Sequence, residues 1–254
     1  MSVPLARIVA TNPLFERLSP GSQHALLPLF RLRGHDAGST LLGPGDGDGG
    51  WTSIMAVGTA RVVRRDAAGR TVAVGLLEPG DLFGPILGSS ACLNEHVEAL
   101  EPGALLRLPA PELAPLLARE PVVARIMVER LARRLLDGGD RLESLALRPV
   151  PARLALVLLD LAERRGRMTA TGVQIGVRIT HGGLADLVAT TRETLTKVVG
   201  WLREEGIATH ERRQILIHDV ARLDAVASGV LVMPGRSVGP RTAMGPASPA
   251  ARAS

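Results

Sequence analysis

Between about Leu29 and Pro109 the apolar residues come in short runs broken by Gly, Pro and Asp, as in SIMAVGTARVV, TVAVGLLEPGDLFG and ALLRLP. Runs of this length between turn residues predict an antiparallel β-rich barrel or sandwich. Within it, Arg61-Val62-Val63-Arg64 and Thr71-Val72-Ala73-Val74 flank Asp66-Ala67-Ala68-Gly69. That pattern predicts a hairpin in which Gly69 supplies a left-handed backbone position. The Gly-rich turn holding Asp46 and Asp48 reads as a solvated turn rather than a cation site.

Beyond Pro111 the period changes to that of a helix, and Ala124, Val128, Leu131, Leu135, Gly138, Leu142 and Leu145 recur at alternating spacings of four and three. The remaining faces carry Arg125, Glu129, Arg133, Arg134, Asp137, Arg141 and Glu143, so the apolar stripe is narrow. A narrow stripe of this period predicts a coiled-coil seam between two copies, against the alternative of a helix packed on its own β-domain. Gly138-Gly139 interrupt the seam, which predicts a hinge or fraying point, and Pro149 with Pro151 end the helix.

Residues 151–219 open with an apolar helix, PARLALVLLDLAERRG, stopped by Gly166. A second helix starts at Thr180 as N-cap, and a third runs from Arg192 to about Glu205 with Leu195, Val198, Val199 and Leu202 buried. The break at Ala189-Thr190-Thr191 makes these a helix-turn-helix. Gly206–His210, Glu211–Gln214 and Ile215–His218 then predict a hairpin wing. The outward face of the third helix is left with Arg192, Glu193, Thr196 and Lys197. An Arg can donate twice to guanine O6 and N7, and a carboxylate can accept from cytosine N4, so the pair suits base reading in a major groove. The competing account of the same residues is a capping box between Thr190 and Glu193 beside ordinary solvated charges.

Composition narrows the field. The 254 residues include 46% apolar but only 2% aromatic positions and no Tyr, so the expectation is an aliphatic core without base-stacking aromatic platforms. A single cysteine, Cys92, rules out an intramolecular disulfide, a Cys-rich zinc site and a four-Cys iron–sulfur cluster. The opening MSVPLARIVATNP has no export signal and no long uncharged apolar run follows, so the expectation is a cytoplasmic protein without membrane contact. The net charge of +5 comes from 29 Arg and one Lys against 25 acids. Residues 149–225 carry 11 basic and 9 acidic groups, and residues 226–254 carry three basic groups and no acid. That last block, rich in Gly, Pro, Ser and Ala, reads as a disordered tail.

Taken together, Ile179-Thr180, Leu184-Ala185, the run Thr191-Arg192-Glu193-Thr194-Leu195-Thr196-Lys197, Gly206-Ile207 and Ile215-Leu216-Ile217-His218-Asp219 resemble the DNA-binding domain of the Crp/Fnr family of bacterial transcription regulators. Glu78-Pro79-Gly80-Asp81-Leu82-Phe83-Gly84 resembles the segment leading to that family's phosphate-binding cassette. The resemblance covers roughly residues 14–225. It implies an α+β protein with an N-terminal cyclic-nucleotide-binding-type β-roll and a short helix (1–110), a dimerisation helix (111–148), a winged helix-turn-helix (149–225) and a tail (226–254). It also implies a homodimer on a pseudo-palindromic duplex site and contact with RNA polymerase. Residue by residue, it assigns base reading to Arg192, Glu193 and Lys197, with Lys197 where Arg is common. Phosphate or positioning contacts fall to Thr180, His181, Thr190, Thr191, Thr194, Thr196, Arg212 and Arg213, and the dimer seam to Val128, Leu131, Leu135, Leu142 and Leu145.

The cassette itself departs from the family. Nucleotide-binding members place a Glu after the Phe-Gly pair and an Arg about ten residues later, whereas here Pro85 follows Phe83-Gly84 and residues 85–98 hold no basic group except His96. A cyclic phosphate would lack its counter-ion, so the expectation is a degenerate cassette, no cofactor and independence from cyclic AMP. Cys92 and His96 as haem ligands, or Cys92 as a redox sensor, have no supporting context. Two further classes stand beside the DNA-binding regulator. One is a ligand-binding or interaction module of the same fold that has lost DNA binding, which the modest charge of residues 149–225 favours. The other is an enzyme, for which the chain offers no Ser/His/Asp set in motif context, no H-E-x-x-H and no phosphate loop.

Overall fold

The computed structural model describes residues 5–43, 50–66, 69, 71–86 and 95–234. Asp46, Asp48, the Ala67-Ala68 turn, Cys92 and most of the cassette loop and tail lie outside the described residues.

Two short helices, α1 (Leu5–Thr11) and α2 (Pro20–Leu26), open the chain where one was expected. Ser19 accepts the Ser22 N–H at 3.1 Å to start α2, and Pro20 occupies the first turn, where no amide partner is needed. Between the helices, buried Asn12 donates to the Met55 carbonyl and accepts from the Leu14 N–H, both at 3.0 Å, which fixes this segment to the β-roll.

Eight strands follow: β1 (Arg31–His35), β2 (Thr40–Leu42), β3 (Trp51–Val57), β4 (Ala60–Arg65), β5 (Thr71–Leu77), β6 (Leu82–Phe83), β7 (Glu95–Ala99) and β8 (Gly103–Pro109). They form two antiparallel sheets ordered β1-β8-β3-β6 and β2-β7-β4-β5. The core shared by the two sheets contains Met55, Val62, Leu77, Phe83, Val97 and Leu105. The expected hairpin is β4–β5, with Arg64 opposite Val72 and Gly69 at φ 77°.

The single long helix expected over 111–148 is two helices, α3 (Ala110–Arg119) and α4 (Pro121–Leu147). Glu120 separates them in a non-helical conformation, φ −124° and ψ 76°, because the residue before a proline is pushed out of the α region. Val123, Ile126 and Met127 bury the start of α4 beside Leu108 and Leu113. Arg130 then pairs with Asp81 at 2.8 Å, and its guanidinium passes so close to Gly80 that a Cβ there would stand 2.7 Å from Cζ. Gly80 also sits at φ +92°, so this turn accepts only glycine.

Farther on, α4 runs unbroken through Gly138-Gly139, which corrects the expected interruption. Val128, Leu131, Leu135 and Leu142 are exposed, with Leu135 at 77% and Leu142 at 70%, whereas Leu145 is half-buried against α5 (Val150–Arg165). Pro151 lies in the first turn of α5 and opens that helix rather than ending α4.

After α5 come β9 (Gly166–Thr169), β10 (Gly172–Ile175), α6 (His181–Val188), α7 (Arg192–Glu204), β11 (Ala208–Glu211), β12 (Gln214–Ile217) and α8 (Val220–Ala227). The wing hairpin β11–β12 is extended by an unanticipated second hairpin into a sheet ordered β11-β12-β10-β9. Helix α8, also unanticipated, is capped by Asp219, packs its Leu223 and Val226 into the same core as Leu154, Leu158 and Trp201, and carries the fold past the expected boundary at 225.

This C-terminal unit is docked on the β-roll through α6. Asp186 accepts Arg61 Nη1 at 2.7 Å and the Thr71 hydroxyl at 2.9 Å, and Arg61 also holds Glu98 at 2.7 Å. Ala73 of β5 is buried in one cluster with Leu184 and Leu187 of α6. On the other side Arg165 reaches Glu78 at 3.3 Å and the Thr59 hydroxyl at 3.1 Å. Because Arg61 is only 15% exposed, its lost partner would be replaced poorly by water. Asp186→Ala is expected to lower stability by about 1–3 kcal/mol and to increase the radius of gyration in small-angle scattering. An unchanged profile and unfolding midpoint would contradict this docking.

Candidate nucleic-acid interface

The helix-turn-helix is built from local hydrogen bonds. The Thr180 hydroxyl accepts the Gly183 N–H at 3.0 Å to start α6, and Ala189 ends it in the left-handed region at φ 51°. The N–H of Thr190 returns to the Ala185 carbonyl at 3.0 Å, closing the turn. Thr191 then caps α7, accepting the Thr194 N–H at 3.2 Å and donating to the Thr194 hydroxyl at 3.1 Å. The cap is therefore Thr191, not the Thr190 of the expected capping box, and Glu193 occupies the second helical position.

The two faces of α7 divide sharply. Leu195, Val198, Trp201 and Leu202 are buried, with Val199 half-buried, while Arg192, Glu193, Thr196 and Lys197 are exposed. Trp201 was not expected inward, because the aliphatic residues alone completed the helical period. The Arg192 stem passes Gly182, where a Cβ would lie 3.9 Å from both Cδ and Nε, so the first turn of α6 bounds one side of this arginine. Glu193 is held below the usual carboxylate range by its own backbone N–H, by the Thr191 hydroxyl and by neighbouring Arg192. It is an ionised acceptor beside the exposed Arg192 donor. Thr196 turns its hydroxyl back to the Arg192 carbonyl at 2.7 Å, so that donor is already used within the helix.

Four expected positioning residues flank this turn. Thr191 is exposed and Thr194, Thr190 and His181 are half-buried. The His181 ring stacks on His210 of β11 at 4.5 Å with the planes 13° apart. The wing turn is formed by Arg212 and Arg213, both exposed and both at positive φ, 49° and 68°. Two consecutive left-handed residues give a hairpin turn of the twist that suits its strands, at a steric cost that Gly or Asn would avoid. The Arg213 carbonyl accepts the Ile179 N–H at 3.2 Å, tying the wing to the segment entering α6. That bond brings exposed Arg178 beside the wing turn. Sequence reasoning missed this arginine because its segment has neither helical nor strand period.

In the cassette region Phe83 is buried, Gly84 sits at φ 87°, and the Pro85 carbonyl accepts the Thr52 hydroxyl. No group of three or more His, Cys, Asp or Glu among the described residues has the placement to hold a metal ion, and no helix among them is long and apolar enough to cross a membrane.

Burial pushes the His210 imidazole below its usual value of 6.5, the Ile179 carbonyl at 2.8 Å opposes that shift, and His181 adds to it. Above pH 6.5 both folded and unfolded chains hold a neutral ring, whereas below it the unfolded chain takes up the proton first, so folding stability falls as pH drops towards the lowered folded value. His210→Gln, which keeps a donor to Ile179, is expected to lose less stability than the parent between about pH 7 and 5 in parallel denaturation curves. Parallel losses would contradict the buried neutral ring.

Comparison with known proteins agrees with this geometry. The family model described as Crp-like helix-turn-helix domain matches residues 152–226, and that described as cyclic nucleotide-binding domain matches residues 32–120. The chain is 30% identical over 220 residues to the cyclic AMP receptor protein of Thermus thermophilus, covering 86% of this chain and 98% of that protein. It is 28% identical over 214 residues to the global nitrogen regulator of Synechococcus elongatus, covering 79% and 96%. A solved CooA mutant from Carboxydothermus hydrogenoformans shares the fold with a TM-score of 0.69 at 19% identity, over 89% of this chain and 97% of that one. A β-roll matched by the nucleotide-binding family, an exposed Arg192-Glu193 helix in a matched Crp-type domain and a relative aligned over nearly its whole length place the chain in the Crp/Fnr family of DNA-binding transcription regulators.

Proposed function

We propose that the protein is a homodimeric regulator that reads a pseudo-palindromic duplex site without requiring cyclic AMP. The observation that carries this reading is the N-terminal turn of α7. Arg192 and Glu193 stand exposed side by side there, while the opposite face of the helix is buried.

In this reading α7 enters the major groove. Arg192 donates to guanine O6 and N7, and Glu193, kept ionised, accepts from cytosine N4. Lys197 lies one helical turn beyond Glu193, and its ammonium, a point charge without the guanidinium fork, contacts a base or a phosphate. Thr180, His181, Thr190, Thr191 and Thr194 fix the register against the phosphate backbone, Thr196 supports the exposed face, and Arg212 and Arg213 approach the flanking phosphates from the wing. Two such helices lie about one helical turn, some 34 Å, apart on a duplex.

Dimerisation is proposed along the apolar stripe of α4, where Val128, Leu131, Leu135 and Leu142 are too exposed for a solitary helix. Leu145, turned towards α5, lies at the end of that stripe. RNA polymerase is proposed as a further partner by family resemblance. Independence from cyclic AMP rests on the sequence after Phe83-Gly84, where Pro85 replaces the expected carboxylate and no arginine follows to neutralise a cyclic phosphate.

Arg192→Ala is expected to weaken binding to a selected duplex by about 1–3 kcal/mol and to relax preference at one base position in each half-site. Unchanged affinity and preference would sink the assignment. Leu135→Glu is expected to shift the protein from dimer to monomer in analytical ultracentrifugation and to abolish tight operator binding, since a charge is placed in each copy of the seam. A variant that sediments like the parent would overturn the seam.

A further inference from the structure

Beside the docked α6 lies a cavity of about 340 Å³ walled by β5, α4, α5 and α6. Leu76, Leu156, Val157 and Leu187 make much of it apolar. Four arginines line it, Arg134 and Arg141 from α4 and Arg153 and Arg164 from α5. Arg164 is taken up by Glu78, Asp137 and Asp160, whereas Arg141 and Arg153 are the two partly withdrawn from water beside α6. Arg141 donates to the Leu187 carbonyl, and Arg153 makes one long contact, 3.4 Å, to the carbonyl of Ala189. The Arg153 Nε is buried with no hydrogen-bond partner.

Neither arginine has a carboxylate partner among the described residues. The acids that line the same space are engaged or outside: Asp160 and Asp137 are held by Arg164 at 2.7 and 3.6 Å, and Asp140 is exposed. Withdrawal from water disfavours the charge on both guanidiniums, and for Arg141 the nearness of Arg153 adds to it. The carbonyls at the C-terminal end of α6 offset part of this through the helix dipole. They leave the Arg153 Nε unmet, and a buried donor without a partner is rare unless something else supplies one.

We propose that this cavity binds a small organic anion, with a carboxylate or phosphate-ester head between Arg141 and Arg153 and an aliphatic body against Leu76, Leu156 and Val157. Planar guanidinium forks match both head groups, and the apolar walls favour a body over a bare inorganic ion. Among the described residues, none from 83–86 or 95–98 lines this space, which lies instead against β5 and the helices. Its walls come from the proposed dimer helix and from the first helix of the DNA-reading pair, so occupancy would favour one placement of α6 on α4 and couple to DNA affinity. That coupling rests on the proposed DNA reading, whereas the binding does not.

The test is calorimetric titration of the full chain with hexanoate, with hexyl phosphate and with neutral hexanol, beside Arg153→Met and Arg141→Met. The expected result is one site per chain for at least one anion, with hexanol and both variants weaker by about tenfold or more. Whichever anion binds identifies the head group. Arg153→Met without ligand is also expected to unfold at a higher temperature than the parent, because it removes a desolvated charge. Should one variant fail to fold, the other carries the comparison. Absence of binding by both anions, binding no tighter than hexanol, or undiminished binding by the folded variants would overturn the site and leave the two arginines as caps of α6. Anion binding by a protein that holds no duplex would keep the site and defeat the DNA reading, so the two failures are distinguishable.

Discussion

The arrangement of the molecule turns on one carboxylate. Asp186, near the end of the first helix of the helix-turn-helix, takes a guanidinium from β4 and a hydroxyl from β5, and these bonds seat the C-terminal unit on the β-roll. Arg61 is shared with Glu98, so the same cation links the sheet to itself and to α6. In such a mostly buried network, losing Asp186 leaves Arg61 held by Glu98 but takes the bond to α6 and leaves the Thr71 hydroxyl without its acceptor. Three features follow from this seat. The charged face of α7 is exposed to water, α4 is left with an apolar stripe pointing away from its own domains, and a cavity remains between α4, α5 and α6.

Two of the proposed sites fall where the chain departs from its most comfortable choices. The wing turn uses two arginines in a left-handed conformation that glycine would adopt without strain, which puts two cations at the tip of the hairpin. Glu193 places a negative charge in the first turn of α7, where its own N–H, the Thr191 hydroxyl and Arg192 stabilise it. Arg153 buries a donor with no partner. The wing turn and the Arg153 donor each cost stability in the isolated protein, and the proposed ligands would relieve both.

Much of this was legible in the sequence. The β4–β5 hairpin, the Thr180 cap, the short turn and the buried Leu195, Val198 and Leu202 all follow from period and turn chemistry, which are local. The hairpin β9–β10 was not legible, because Gly166-Arg167-Met168-Thr169 has no alternating pattern and acquires strand form only by pairing next to the wing sheet. Helix α8 was hidden for a similar reason, since Val220–Ala227 is short and gains its stability by packing on α5. The break at Glu120 could have been read from Pro121, whereas continuity through Gly138-Gly139 shows that a helix held at both ends tolerates two poor formers. At the candidate interface the exposed Arg192, Glu193 and Lys197 were readable from spacing. The partnership of Asp186 with Arg61, across 125 positions, and the meeting of Arg141 with Arg153 were not, because nothing local marks a contact between domains.

The most direct measurement of the central claim is selection of bound duplexes from a random pool by the ligand-free protein at physiological salt, with and without cyclic AMP. The account predicts a palindromic consensus of two half-sites one helical turn apart, enriched equally in both arms. Enrichment only with cyclic AMP, or none in either arm, would contradict it.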